Sequence, residues 1–167
     1  STPTFTRCDF RHNTANPSGG AVYARSTAPS SFADCTFTDN AAVTGGAIGS
    51  FSSGALTLRR CQLARNAAQQ AGVLYGQIGS TTTFDGCTLE ANTADHGAAI
   101  DLNSDATATL VATLVAHHTS LRAAITTTSS GVAGAMVHLV RSNFTNNSAT
   151  GADADGGALS LDASSTA

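Results

Sequence analysis

One block recurs along this chain at a spacing near 26 residues, and nothing else in the sequence limits the fold so tightly. CDFRHNTANPSGGAV (8–22), CTFTDNAAVTGGAI (35–48), CQLARNAAQQAGVL (61–74) and CTLEANTADHGAAI (87–100) are copies of one pattern. Two looser copies follow, ATLVAHHTSLRAAI (112–125) and SNFTNNSATGADADGGAL (142–159), with Ala112 and Ser142 in the cysteine position. The starts at 8, 35, 61, 87, 112 and 142 lie 27, 26, 26, 25 and 30 residues apart, the longest interval reflecting residues inserted near Thr126 to Gly134. Units this short cannot bury an apolar face alone, so six of them must stack on one another.

The period by itself admits helices or strands. Within a unit, however, apolar positions alternate, as in Cys35 and Phe37 or Ile100 and Leu102, and alternation means strands. Upstream of the cysteine, Leu56-Thr57-Leu58, Thr82-Thr83-Phe84 and Val137-His138-Leu139 show the same period of two. Each unit thus holds about three short strands separated by Gly, Asn and Asp turns, too few for a four-stranded propeller blade. The expected fold is an all-β parallel β-helix, a solenoid of about six coils with three short strands per coil, with residues 1–167 as a single domain.

Stacked coils lie about 4.8 Å apart, so columns follow from the alignment. Phe5, Phe32, Leu58, Phe84 and Leu139 are expected to form one inward column, and Phe10, Phe37, Leu63, Leu89, Leu114 and Phe144 a second. Val22, Ile48, Leu74, Ile100, Ile125 and Leu159 form the third. Gly20, Gly46, Gly72, Ala98, Ala123 and Gly157 fall where the wall turns inward and leaves no room for a side chain. Asn13, Asn40, Asn66, Asn92 and Asn147 make a ladder five residues after the cysteine position, at a corner where Asn tolerates a left-handed backbone. His117 interrupts it in the fifth unit, where a local irregularity is expected.

With 11% charged and 5% aromatic residues the lumen must pack thinly. All eight cations are Arg, and the net charge of -3 is scattered, so the concentrated basic face of a nucleic-acid binder is missing. The longest apolar run falls well short of the roughly 18 residues that a membrane span needs.

The pairing of F-x-x-N with G-G-A-[ILV], seen at Phe10 to Asn13 with Gly19 to Val22, Phe37 to Asn40 with Gly45 to Ile48, and Phe144 to Asn147 with Gly156 to Leu159, resembles the repeat of the chlamydial polymorphic membrane proteins. The third and fourth units carry Leu63 and Leu89 in place of Phe. The resemblance implies a right-handed helix of the pectin-lyase-like group, like the passenger of an autotransported surface adhesin. An extracellular or cell-surface location follows from it as an expectation.

Cys8, Cys35, Cys61 and Cys87 share one inward column. That leaves two arrangements open, a buried thiol ladder or vertical disulfides, and parallel side chains favour the first over the dihedral a disulfide requires. No histidine joins the column, so zinc is not expected. No catalytic or cofactor-binding residue is assigned, because the acids fall in different columns and stack against cations: Arg7 with Asp34 and Arg60, His12 with Asp39 and Arg65. Asp34, Asp39, Arg60 and Arg65 are the participants that catalysis would have to use. His117 and His118, adjacent on a strand, face opposite ways and cannot share a metal. Asp101 to Asp105 and Asp153 to Asp155 offer alternate oxygen ligands without a full calcium loop. Asn143 and Asn146 satisfy the glycosylation sequon and should point outward.

With neither an initiating Met nor a capping segment, the coils are expected to have uncapped ends and to continue into further coils or to stack end to end on another copy. The function expected is a non-catalytic structural or adhesive surface rod or filament, with glycans or a cell-surface partner. The alternative is a carbohydrate-active enzyme or glycan-binding module.

Overall fold

The computed structural model describes residues 2–128, 134–152, 154 and 156–161. Every strand pair is parallel, and the chain winds into the right-handed β-helix expected from the repeat. Three six-stranded walls run its length. The first stacks Thr4–Thr6, Ser30–Ala33, Ala55–Arg59, Thr81–Asp85, Thr107–Val111 and Met136–Val140. The second stacks Asp9–Arg11, Thr36–Thr38, Gln62–Ala64, Thr88–Glu90, Leu114–Ala116 and Asn143–Thr145. The third stacks Val22–Ala24, Ile48–Ser50, Leu74–Gly76, Ile100–Asn103, Ile125–Thr128 and Leu159–Leu161. A minor sheet of Thr93–Ala94, Thr119–Ser120 and Ser148–Ala149 joins the second wall to the third. Among the described residues no helix is long and apolar enough to cross a membrane.

The lumen is filled by the columns that the repeat places inward. Phe5 stacks on Phe32 at 4.8 Å and Phe10 on Phe37 at 4.7 Å, the two stacks meeting edge to face between Phe32 and Phe37. Leu58, Leu63, Phe84, Leu89 and Leu110 continue both columns, fully buried, each contributing about 1.5–3 kcal/mol through burial. Leu110 completes the first column between Phe84 and Leu139.

Three expectations need correction, and all trace to one residue of register. Leu89 pairs with Val115, not Leu114, and Val115 with Phe144, so Val115 fills the second column while Leu114 faces outward beside Thr88 and Asn143. Thr113, not Ala112, takes the cysteine position, since the Cys87 N–H donates to its hydroxyl. His118, not His117, takes the ladder position, and that coil keeps its corner without irregularity. The missing residue lies later: Ala94 pairs with Ser120, 26 residues on, yet Ile100 pairs with Ile125, 25 residues on, so the deletion falls between Ser120 and Ile125. A slip of one residue exchanges inside for outside along a strand, which is why a single misplaced gap moved three side chains.

The left-handed backbone also sits elsewhere than on the asparagines. It falls on the residue before each one, His12, Asp39, Arg65, Ala91, His117 and Asn146 (φ 52–57°), and on the residue before each cysteine position, including Arg7, Asp34, Arg60 and Ala112. A left-handed residue between two strands turns the chain sharply and leaves two backbone groups without ladder partners, the N–H after the bend and the carbonyl two residues before it. The Asn column satisfies both. The Asn66 amide donates to the Phe37 carbonyl (2.9 Å) while its Oδ1 accepts the Asn40 N–H (3.0 Å). His118 does the same with a ring: Nδ1 accepts the Asn92 N–H at 3.2 Å, and Nε2 donates to the Leu89 carbonyl at 3.1 Å.

All four cysteines are free, and their column performs the same task at the other corner. The Cys87 thiol donates to the Leu58 carbonyl and accepts the Cys61 N–H, each at 3.4 Å. Thr113 donates likewise to Phe84, and Ser142 to Leu110. A hydroxyl and a thiol are therefore interchangeable here, a relation that the apolar reading of the column conceals. Burial pushes the Cys35 thiol up, and contact with Cys87 together with burial raises Cys61.

Of the small-residue column, Gly46 admits no side chain, since a methyl there would lie 2.5 Å from the Gly72 carbonyl oxygen. Ala98 and Ala123 nonetheless carry buried methyls at the equivalent place. The inserted residues follow the regular strand Ile125–Thr128, and residues 129–133 lie outside the described set.

Candidate functional site

The four residues that catalysis would have to use are divided between two corners. Arg60 grips Asp34 through two hydrogen bonds of 2.7 and 2.9 Å, on either edge of one coil step. Arg65 grips Asp39 in the same way at 2.9 and 2.8 Å. The two pairs flank opposite edges of the second wall, on the stacked left-handed positions where a long or polar side chain must project outward. Each guanidinium holds its carboxyl below the usual carboxylate range. Asp9 bonds to Arg11 and to the Thr36 hydroxyl, and Asp85 lies 3.3 Å from Arg59. Paired carboxylates of this kind are poor general acids or bases, because the arginine stabilises the anion.

Asn143 and Asn146 are exposed, with Phe144 and Asn147 half-buried beside them. Asp101 is buried, whereas Asp105 is exposed on a left-handed turn, so the alternate-ligand spacing does not place the two in one environment. Asp153 and Asp155 lie outside the described residues. His117 is exposed and His118 buried, as their adjacency requires.

The outer face of the third wall carries a constellation that reading for inward columns passes over. Its central column is Tyr23, Gly49, Tyr75, Asp101, Thr126 and Ser160, each the residue after a lumen position. Phe51 lies between the two tyrosines, its ring 5.2 Å from Tyr23 and 5.6 Å from Tyr75. Gly49 makes the room, since a methyl there would meet the Phe51 ring at 2.8 Å. Farther along, the Thr126 hydroxyl donates to Asp101 at 2.9 Å. Burial pushes the Asp101 carboxyl up, against the pull of that hydrogen bond and of nearby His96 and Arg122, and burial with the Asp101 charge raises Tyr75. A polar cavity of about 440 Å³ opens there, lined by His96, Arg122, Thr126, Thr128 and Ser160 among others. The signal was present in the sequence at Tyr23, Tyr75 and Asp101, which follow Val22, Leu74 and Ile100, but outward residues do not repeat and so do not advertise themselves.

Compared with known proteins, the chain matches no curated protein and no solved structure. A family model described as "Right handed beta helix region" matches residues 1–115, and the fifth and sixth coils extend the same walls in register beyond that match. The chain belongs to the right-handed β-helix family.

Proposed function

We propose that the protein is a non-catalytic β-helical scaffold of the extracellular or cell-surface kind, which projects or adheres through its walls. The observation that carries this reading is the pairing of Asp34 with Arg60 and of Asp39 with Arg65, because cleavage of a polysaccharide needs free carboxylates converging on one groove. Two exposed sequons, at Asn143 and Asn146, and a repeat similar to that of the chlamydial polymorphic membrane proteins support a surface role. Further coils or another copy stacked on the outermost strands would give a rod that lengthens by about 29 Å for every six coils.

Electron microscopy of the purified protein tests the rod, and a reducing-end assay on a polysaccharide panel tests catalysis. Rods or end-to-end particles with no new reducing ends are expected. Release of reducing ends that disappears in Asp34→Asn or Asp39→Asn would overturn the reading. The glycan-binding alternative is favoured by one feature, the outer face of the third wall.

A further inference from the structure

We propose that the corner joining the minor sheet to the third wall binds a single compact oxyanion that carries a proton, inorganic hydrogen phosphate. This goes beyond the scaffold reading and does not depend on it. His96 and Arg122 stand at equivalent places on neighbouring coils, each two residues past a strand of the minor sheet, Thr93–Ala94 and Thr119–Ser120. The turn that carries Arg122 is the one shortened by a residue, and the turn of the next coil, from Ala149 to Leu159, is the longest of the three. Turns of unequal length do not stack closely, and the corner opens into the polar cavity of about 440 Å³. A second cavity of about 200 Å³ beside Gly151 shares His96 and Arg122 with it, so these two cationic side chains stand at the centre of the opening.

The lining selects the ligand. Arg11, Arg59, Arg60 and Arg65 each pair with a carboxylate, but among the described residues none lies within ion-pair distance of Arg122, which is exposed at the cavity. An unpaired guanidinium offers a planar fork of donors that fits a phosphate edge, and His96 adds an imidazole donor. Thr128 and Ser160 supply hydroxyls that donate or accept. Thr126 differs from them. Its hydroxyl donates to the buried Asp101 at 2.9 Å, so toward the cavity that oxygen can only accept. Gly97 brings the His96 turn directly against it, since a methyl at Gly97 would lie 2.8 Å from the Thr126 Oγ1. The cavity therefore asks for an anion with a proton of its own to give. Hydrogen phosphate has one at neutral pH, whereas sulfate and an ionised phosphate monoester do not. Asp101 is a positioning residue that acts through Thr126.

Titration calorimetry of the intact protein at about pH 7.5, where a phosphate monoester is almost fully ionised, tests the proposal with inorganic phosphate, sulfate and glycerol 3-phosphate. Phosphate should bind with a Kd below about 1 mM and at least about tenfold more tightly than either of the others. Arg122→Ala should weaken phosphate by about tenfold or more, whereas Arg141→Ala, another exposed arginine, should bind it as the parent does. Asp101→Asn reads the role of Thr126: its amide can donate to that hydroxyl and turn the hydroxyl proton toward the cavity, so sulfate should gain and the preference for phosphate should shrink about tenfold. A merely structural Asp101 would weaken both anions alike. Circular dichroism confirms that each variant is folded, and the exposed Arg122 keeps the test valid should Asp101→Asn unfold. Absence of phosphate binding, sulfate or the ester bound as tightly as phosphate, equal loss in Arg141→Ala, or an unchanged preference in folded Asp101→Asn would overturn it. Rods that form without phosphate binding would sink this proposal and leave the scaffold reading standing, whereas new reducing ends would sink the scaffold reading itself.

Discussion

His118 should make the fold acid-sensitive in a way that the five ladder asparagines cannot. Its Nδ1 faces the Asn92 N–H and its Nε2 the Leu89 carbonyl, so only the neutral ring with hydrogen on Nε2 satisfies both. A proton on Nδ1 would set two donors against each other inside a corner where His118 is 1% exposed. Burial accordingly pulls the ring down from 6.5 to about 4. The folded value lies below the unfolded one, so above pH 6.5 neither state binds the proton and no stability is lost. As pH falls below 6.5 the unfolded chain takes up a proton that the native chain refuses, and stability drops by about 1.4 kcal/mol per pH unit. The loss levels off near pH 4, where the native ring also protonates, at about 3 kcal/mol in all. Urea unfolding of the parent and His118→Asn, at half-unit steps from pH 7.5 to 4, isolates this contribution because the carboxylates cancel in the difference. The gap between the two curves should open in favour of His118→Asn by about 3 kcal/mol over that range. Parallel curves would refute the corner geometry assigned to His118.

Other substitutions test the same bookkeeping of backbone groups. Asn66→Ala strands the Phe37 carbonyl and the Asn40 N–H, so urea unfolding should show a loss of about 2–5 kcal/mol, far above that of removing an exposed asparagine. Cys87→Ser should hold stability within about 1 kcal/mol, whereas Cys87→Val, apolar but without a donor or acceptor, should lose about 1–3 kcal/mol by orphaning the Leu58 carbonyl and the Cys61 N–H. Were the column merely hydrophobic, calorimetric melting would rank these two variants in the opposite order. Thr82 carries a buried hydroxyl with no partner among the described residues, and Thr82→Val should raise stability by about 1 kcal/mol in a thermal melt.

The repeat made the lumen and the walls legible, because an inward position must suit the same space in every coil. Phe37, Leu63 and Leu89 therefore resemble one another, as do Asn40, Asn66 and Asn92. The fifth coil is hard to frame from sequence because neither Thr113 nor His118 looks like the residue it replaces. Thr113 matches cysteine only as a hydrogen-bond donor and acceptor, and His118 matches asparagine only in having a donor and an acceptor on one planar group. With those likenesses unrecognised, Ala112 offered an equally good start. The deletion after Ser120 then made the wrong frame agree with Ile125.

Repetition also separates what the fold requires from what it leaves free. Each coil fixes the lumen positions and the two polar corner columns, and a departure there strands backbone groups or opens the lumen. In the first three coils the outward corner residues of the second wall alternate between basic and acidic, and Arg60 and Arg65 spend their charge on Asp34 and Asp39 of the neighbouring coil. The third wall does neither. Its central column passes from tyrosine through glycine to aspartate and threonine, and Gly49, buried though it faces outward, is explained by the Phe51 ring laid across it rather than by any demand of the strand. A column that changes chemistry at each step within a frame that otherwise repeats is where a solenoid can carry recognition, because nothing in its architecture needs those side chains to differ.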